Sequence, residues 1–230
     1  PSHIVAREGL MSRSEALLAM HFPTTSEGIA RARQRFAFEE LFSLLLASQL
    51  NRQAHAQLQG YVIPFEQAIV KSFVNALPFT LTDDQRRAAW DILQDFQRST
   101  PMNRLLQGDV GSGKTVVAGL AARQAASAGY QTALMAPTEI LARQHAATLD
   151  ALLTPFGIKV GLLTGSVTGA VRSELVQRIA RGEVDVVVGT HALIQDSVNF
   201  ARLGFVVIDE QHRFGVAQRQ KLLDKSGHMP

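Results

Sequence analysis

Two stretches of this chain carry residue types that could do phosphate chemistry. The first is Gly108-Asp109-Val110-Gly111-Ser112-Gly113-Lys114-Thr115, which fits G-x-x-x-x-G-K-[ST] at every fixed position. Its glycines let the backbone curl so that successive N–H groups, that of Ser112 included, point inward, and a helix N-terminus behind them adds positive dipole. Lys114 supplies a point charge for outer phosphates, and the Thr115 hydroxyl is a ligand for Mg²⁺. At average residue usage the fixed positions coincide by chance in roughly one chain of this length in a hundred. The second stretch is Asp209-Glu210, which follows the apolar run Phe205–Ile208. Asp209 is placed to hold Mg²⁺ through its water shell, and Glu210, on the other side of the pleat, to polarise an attacking water. Alone, an acidic pair after an apolar run is an ordinary loop start; with a phosphate loop in the same chain it is the expected other half of a nucleoside-triphosphate site. His212 lies two residues further on, near any γ-phosphate.

Gln85 is a third candidate. Thr82 followed by Gln85 is a capping box, in which the glutamine reaches back to the N-cap amide. A carboxamide also offers one donor and one acceptor side by side, which matches an adenine edge. Spacing alone leaves both readings open.

The elements that must position these groups follow from periodicity. Apolar-leaning Arg104–Gln107 reads as a strand entering the phosphate loop, and Val116–Ser127 as the helix leaving it. Beyond it, strands are expected at Thr132–Ala136, Lys159–Leu163, Val184–Val188 and Phe205–Ile208, with helices at Thr138–Leu153 and Ala170–Arg181 between them. The strands are continuously apolar, as parallel strands covered on both faces are. The expected fold is therefore α/β with a doubly wound, mainly parallel sheet, whose ligands sit beyond the carboxyl ends of the strands. Before residue 79 the pattern is helical: a short helix at Ser14–Met20, a long amphipathic one from Glu27 whose Phe36, Leu41, Leu45, Leu46 and Leu50 read as core, and another at Phe65–Leu77 stopped by Pro78.

Composition narrows the function classes. The 230 residues carry a formal charge of +3, which permits nucleic-acid contact without demanding it. There is no cysteine, so disulfides and thiolate metal sites are excluded, and the seven histidines include no pair at zinc-ligand spacing. The longest apolar run, Leu41–Leu50, is too short to cross a bilayer. The chain begins with Pro1 and reads as a piece of a longer cytoplasmic protein.

Asp209-Glu210-Gln211-His212-Arg213-Phe214-Gly215-Val216 is specific enough to carry a family resemblance. It resembles motif II of the RecG family of bacterial branched-DNA helicases. Leu106–Thr115 resembles that family's motif I, Met135–Ala142 its motif Ia, Leu163–Ser166 its motif Ib and Gly189–Ile194 the block that follows. His21-Phe22-Pro23 and the helix around Phe38–Leu41 are similar to the segment joining the family's DNA-binding wedge to its motor. The transcription-repair coupling factor has a similar motor, but its acidic block typically carries a second Glu where this chain has Gln211.

The resemblance implies residues 1–78 as a helical interdomain linker and 79–230 as the first RecA-like motor domain of a superfamily 2 enzyme. It implies ATP and Mg²⁺ as cofactors, and branched double-stranded DNA as substrate in fork reversal and Holliday-junction branch migration. A monomer associated with the bacterial nucleoid is implied as well. Residue by residue, Phe79–Gln85 is similar to the adenine-recognition motif, Lys114 and Thr115 hold phosphates and metal, Asp209 holds the metal, Glu210 activates water and His212 couples hydrolysis to DNA contact. Thr138, Glu139, Thr164, Gly165, Ser166, Thr190 and His191 match positions that face the nucleic-acid strand. The family's wedge, its second motor domain with arginine fingers and its motif III strand lie outside these 230 residues. A sheet with a gap, and a very slow hydrolase when taken alone, are the resulting expectations. A P-loop phosphotransferase would need a lid and acceptor pocket, for which no candidate stands out; a nucleotide-gated binding module would tolerate Glu210→Gln.

Overall fold

The structure, a computed structural model, describes residues 2–109 and 111–226, without the side chains of residues 55 and 56. Val110 of the phosphate loop and the last four positions, where the expected gap begins, lie outside the described residues. The chain forms two compact units, one ending at Gln57 and the other beginning at Leu58.

The first unit is helical: α1 (Ser2–Arg7), α2 (Arg13–His21) and α3 (Ser26–Ala56). Ser12 and Glu15 form a complete capping box at the start of α2, and Ala16 and Ala32 are fully buried where α2 and α3 pack. The expectation that the α3 leucines are core is corrected: Leu41, Leu45, Leu46 and Leu50 are all exposed. Length explains why. At 1.5 Å per residue α2 spans about 14 Å and α3 about 46 Å, so one cannot cover the other.

The second unit is built on a four-stranded, wholly parallel sheet in the order β2-β3-β1-β4, with β1 at Gln131–Met135, β2 at Val160–Leu163, β3 at Val186–Gly189 and β4 at Leu203–Ile208. Alternation within the strands sorts the core into two layers. Leu134, Val186, Val188 and Phe205 face a layer formed by α4 (Gln67–Ala76), α5 (Asp83–Phe96), α6 (Lys114–Ser127) and α7 (Glu139–Leu153). Ala133, Met135, Leu163 and Val187 face α8 (Gly169–Ala180) and α9 (Val216–Leu223). Helices therefore cover both faces, and α6 is buried almost all round, as the central helix of such a fold must be. Residues 58–78, read from sequence with the helical linker, fall in this second unit. Arg123 of α6 donates to the Ile69 carbonyl at 2.7 Å, and Gln124 to the Pro64 carbonyl at 2.6 Å.

One predicted strand is absent from the sheet. Arg104–Gln107 forms no regular element and pairs with no strand, and Leu105 is exposed. Among the described residues β4 pairs only with β1, and the segment does not join its open edge. It is held instead by charge: Arg104 bonds Asp95 and lies 3.3 Å from Asp91, both on α5. The short helix α9 was not foreseen.

Candidate functional site

The phosphate loop leads into α6 through Gly113, whose φ of +83° lies in the left-handed region that favours glycine. No side chain caps α6, so its first amides are uncommitted to any side-chain acceptor. Lys114 Nζ donates to the carbonyls of Gly108 at 2.7 Å and Asp109 at 2.8 Å, folding its ammonium over the loop. Gly111 is also left-handed, at φ +82°.

Gln85 satisfies one reading of its sequence and adds a contact that spacing could not foretell. Its Oε1 accepts from the Thr82 amide at 2.9 Å, completing the capping box of α5. Its Nε2 donates to the Ser112 carbonyl at 2.8 Å, across 27 residues, so the cap also tethers the phosphate loop. A Cβ at position 113 would meet that Nε2 at 2.3 Å. Gly113→Ala is therefore expected to cost about 1–2 kcal/mol from backbone handedness and to break the tether, seen as a lower Tm and weaker nucleotide binding. Wild-type values of both would contradict this account of the turn.

The acidic strand delivers Asp209 to the same edge. Its amide bonds the Met135 carbonyl at 2.9 Å, and its carboxylate Oδ2 lies 2.8 Å from Nε2 of His145, a residue of α7. Nδ1 of the same ring lies 3.3 Å from Thr115 Oγ1. The hydroxyl and the carboxylate expected to share a metal are thus joined through one imidazole. His145 was missed in sequence because histidines without a paired partner default to surface or core. The available signal was its place beside the apolar stripe Ala142, Ala146, Leu149 of a helix that starts at the sheet's carboxyl edge.

Glu210 does not point its bonds at the phosphate loop. It is the one non-glycine among the described residues with positive φ, at +48°, a conformation that costs on the order of 1–3 kcal/mol and collects at functional sites. Its carboxylate lies 3.8 Å from Arg213 and 4.0 Å from His212. Glu210 lines a cleft of about 310 Å³ with Thr138, His191, Arg213 and Phe214. The His191 ring meets Phe214 edge-on at 5.3 Å. His212 is largely exposed.

The remaining candidates form a second cluster. Ser166 bonds the Glu139 carboxylate, Arg143 donates to it at 2.7 Å, and Arg143 also donates to Ser166 Oγ at 2.9 Å. Thr164 is fully buried and bonds Ser166 at 3.0 Å, so it supports the cluster from beneath. Gly165 is exposed beside it and Thr190 half-buried near His191. The Ser166 hydroxyl first, then Arg143, hold Glu139 below the usual carboxylate range. This bonding is therefore complete above that range and is lost only as pH falls through the lowered value.

Comparison with known proteins fits this geometry. A family model described as DEAD/DEAH box helicase matches residues 82–230. The chain is 49% identical over 226 residues to the ATP-dependent DNA helicase RecG of Streptococcus pneumoniae, covering 98% of this chain and 33% of that protein. It is 51% identical to RecG of Bacillus subtilis over 92% of this chain and 31% of that one. The chain thus spans about a third of the length of these curated relatives. Among solved structures, RecG bound to a three-way DNA junction superposes with a TM-score of 0.83 at 46% identity, over 94% of this chain and 30% of that one. A hypothetical ATP-dependent RNA helicase from Sulfolobus tokodaii, 19% identical with a TM-score of 0.53 over 70% of this chain and 47% of that one, shares the fold. Among the described residues no helix is long and apolar enough to cross a membrane. With two-thirds of its residues matched by that model, and a phosphate loop and acidic strand meeting at one sheet edge, the chain belongs to the DEAD/DEAH box helicase family.

Proposed function

We propose that this chain is the ATP- and Mg²⁺-binding part of a DNA helicase motor that works on branched DNA. The observation that carries the chemistry is the convergence of Thr115 and Asp209, 94 positions apart in sequence, on one side chain at the carboxyl edge of the sheet. The donor set suits Mg²⁺: a hydroxyl and a carboxylate are hard oxygen ligands, and no cluster of three His, Cys, Asp or Glu among the described residues offers a closed protein cage. Mg²⁺ characteristically takes one or two protein oxygens and completes its shell with substrate phosphates and water. When bound there it supplies charge neutralisation for the transferring phosphoryl group.

The chain's own residues divide the remaining work. Lys114 turns its ammonium from the loop carbonyls to the outer phosphates, the α6 amides donate to the anion, and Gln85 stiffens the loop from behind while presenting its carboxamide to adenine. Glu210 accepts a proton from the attacking water. Thr138 and His191, lining the same cleft as Glu210, and the Glu139–Ser166 cluster face the nucleic-acid strand, with Gly165 and Thr190 offering backbone groups that bind phosphate without reading bases. His212 links the two functions. Branched DNA is supported by the three-way junction named with the RecG structure, and ATP by the name of the curated relatives. The helical unit before Leu58 serves as connector to a branch-gripping wedge, and a second motor domain supplies arginine fingers.

Strand separation tests this reading. Full-length protein should open a forked duplex only with ATP and Mg²⁺, and Lys114→Ala should abolish the activity. Opening without nucleotide, or no opening of any branched substrate, would overturn it.

A further inference from the structure

His145 belongs to none of the motifs that carry the phosphate chemistry, yet it touches both halves of the site. Its Nε2 lies 2.8 Å from Asp209 Oδ2 and its Nδ1 3.3 Å from Thr115 Oγ1, across 64 and 30 residues of sequence. The ring is mostly buried, with 18% of its side chain exposed, against 26% for Asp209. Its helix is held tightly. Ala142 and Ala146 let α7 approach the layer beneath, and a Cβ at Gly119 of α6 would already meet Leu149 at 3.2 Å.

Hydrogen-bond chemistry assigns the ring's orientation. A carboxylate accepts, so a neutral ring here donates from Nε2 to Asp209 and accepts at Nδ1 from the Thr115 hydroxyl. A threonine hydroxyl whose proton is committed in this way leaves its oxygen lone pairs for a cation. An aspartate with one oxygen held by an imidazole has its carboxyl plane fixed.

We infer that His145 is a positioning residue, setting the Thr115 hydroxyl and the Asp209 carboxylate in register as a divalent-cation site. This rests on the nucleotide-site reading above. Side chains that orient metal ligands from behind typically change metal affinity by about 10–100-fold when removed.

The test measures binding rather than turnover, with full-length protein, ADP and Mn²⁺ as a spectroscopically visible cation. Mn²⁺ affinity in the presence of saturating ADP, read by electron paramagnetic resonance, should fall about 10–100-fold in His145→Ala. ADP affinity without metal should stay at the wild-type value, because Lys114 and the loop amides are untouched. His145→Gln, whose carboxamide keeps one donor and one acceptor, should restore most of the Mn²⁺ affinity. Wild-type Mn²⁺ affinity in His145→Ala would overturn the inference while leaving the nucleotide site standing. Equal loss of ADP binding with and without metal, or unfolding on the alanine change with no recovery in the glutamine variant, would show a purely structural histidine and overturn it too. If the wild-type protein binds no ADP under either condition, the nucleotide reading fails and the inference with it.

Discussion

Glu210→Gln is expected to lower the turnover of ATP hydrolysis by about 10²–10⁴-fold, the range for removing a general base, while leaving ATP affinity nearly unchanged. The substitution keeps volume and backbone and removes only the charge and the proton-accepting capacity. It acts on a residue already singled out by geometry. The left-handed backbone at φ +48° is a cost that a loop residue of no consequence would shed. The carboxylate it displays is close to half exposed and lies in a cleft with Thr138 and His191. Steady-state kinetics with a separate equilibrium measurement of ATP binding distinguishes the outcomes. A loss of turnover at constant affinity identifies an interaction made in the transition state. Unchanged turnover would favour a nucleotide-gated binding module, and parallel loss of affinity and turnover would make Glu210 a structural residue whose pairing with Arg213 matters more than its chemistry.

Lys114→Ala carries the other large effect. The ammonium now satisfies two loop carbonyls at 2.7 and 2.8 Å, both reachable by solvent, so its removal costs the fold little. Toward a triphosphate the loss is that of a charged hydrogen bond, about 1.5–3 kcal/mol, which converts to roughly 10–100-fold in Kd. The effect must be selective for phosphate. ATP binding should weaken by that factor while adenosine binding does not, because the adenine side is served by Gln85. Lys114→Arg should not rescue, since a planar guanidinium does not replace a compact point charge inside a loop this tight. Equal weakening of ATP and adenosine would mean that the loop had collapsed rather than lost a phosphate contact.

The parts of the fold legible in sequence are those fixed by local pattern. Continuous apolar runs marked β1 to β4 because a parallel strand is covered on both faces, and the observed strands shift by only one or two residues from the expected ones. Thr82 and Gln85 announced a helix start that formed as expected. What sequence could not carry depends on distant partners. Arg104–Gln107 has strand composition, but a strand exists only beside another, and among the described residues no strand pairs with it. The α3 leucines have helical spacing, but burial needs a neighbour as long as the helix. His145 joins residues 30 and 64 positions away, and no spacing rule encodes such a bridge. The left-handed turn at Glu210 is equally silent in the sequence, because glutamate gives no sign of a positive φ.

The central claim is that a phosphate loop and an acidic strand, brought to one sheet edge, form the nucleotide site of a motor acting on branched DNA. ATP hydrolysis by the full-length protein, measured with and without three-way junction DNA, tests it most directly. Turnover should depend on Mg²⁺, rise with the junction well above both the DNA-free rate and the rate with linear duplex of equal length, and disappear in Lys114→Ala. Hydrolysis indifferent to every DNA structure, or no hydrolysis with any of them, would contradict it.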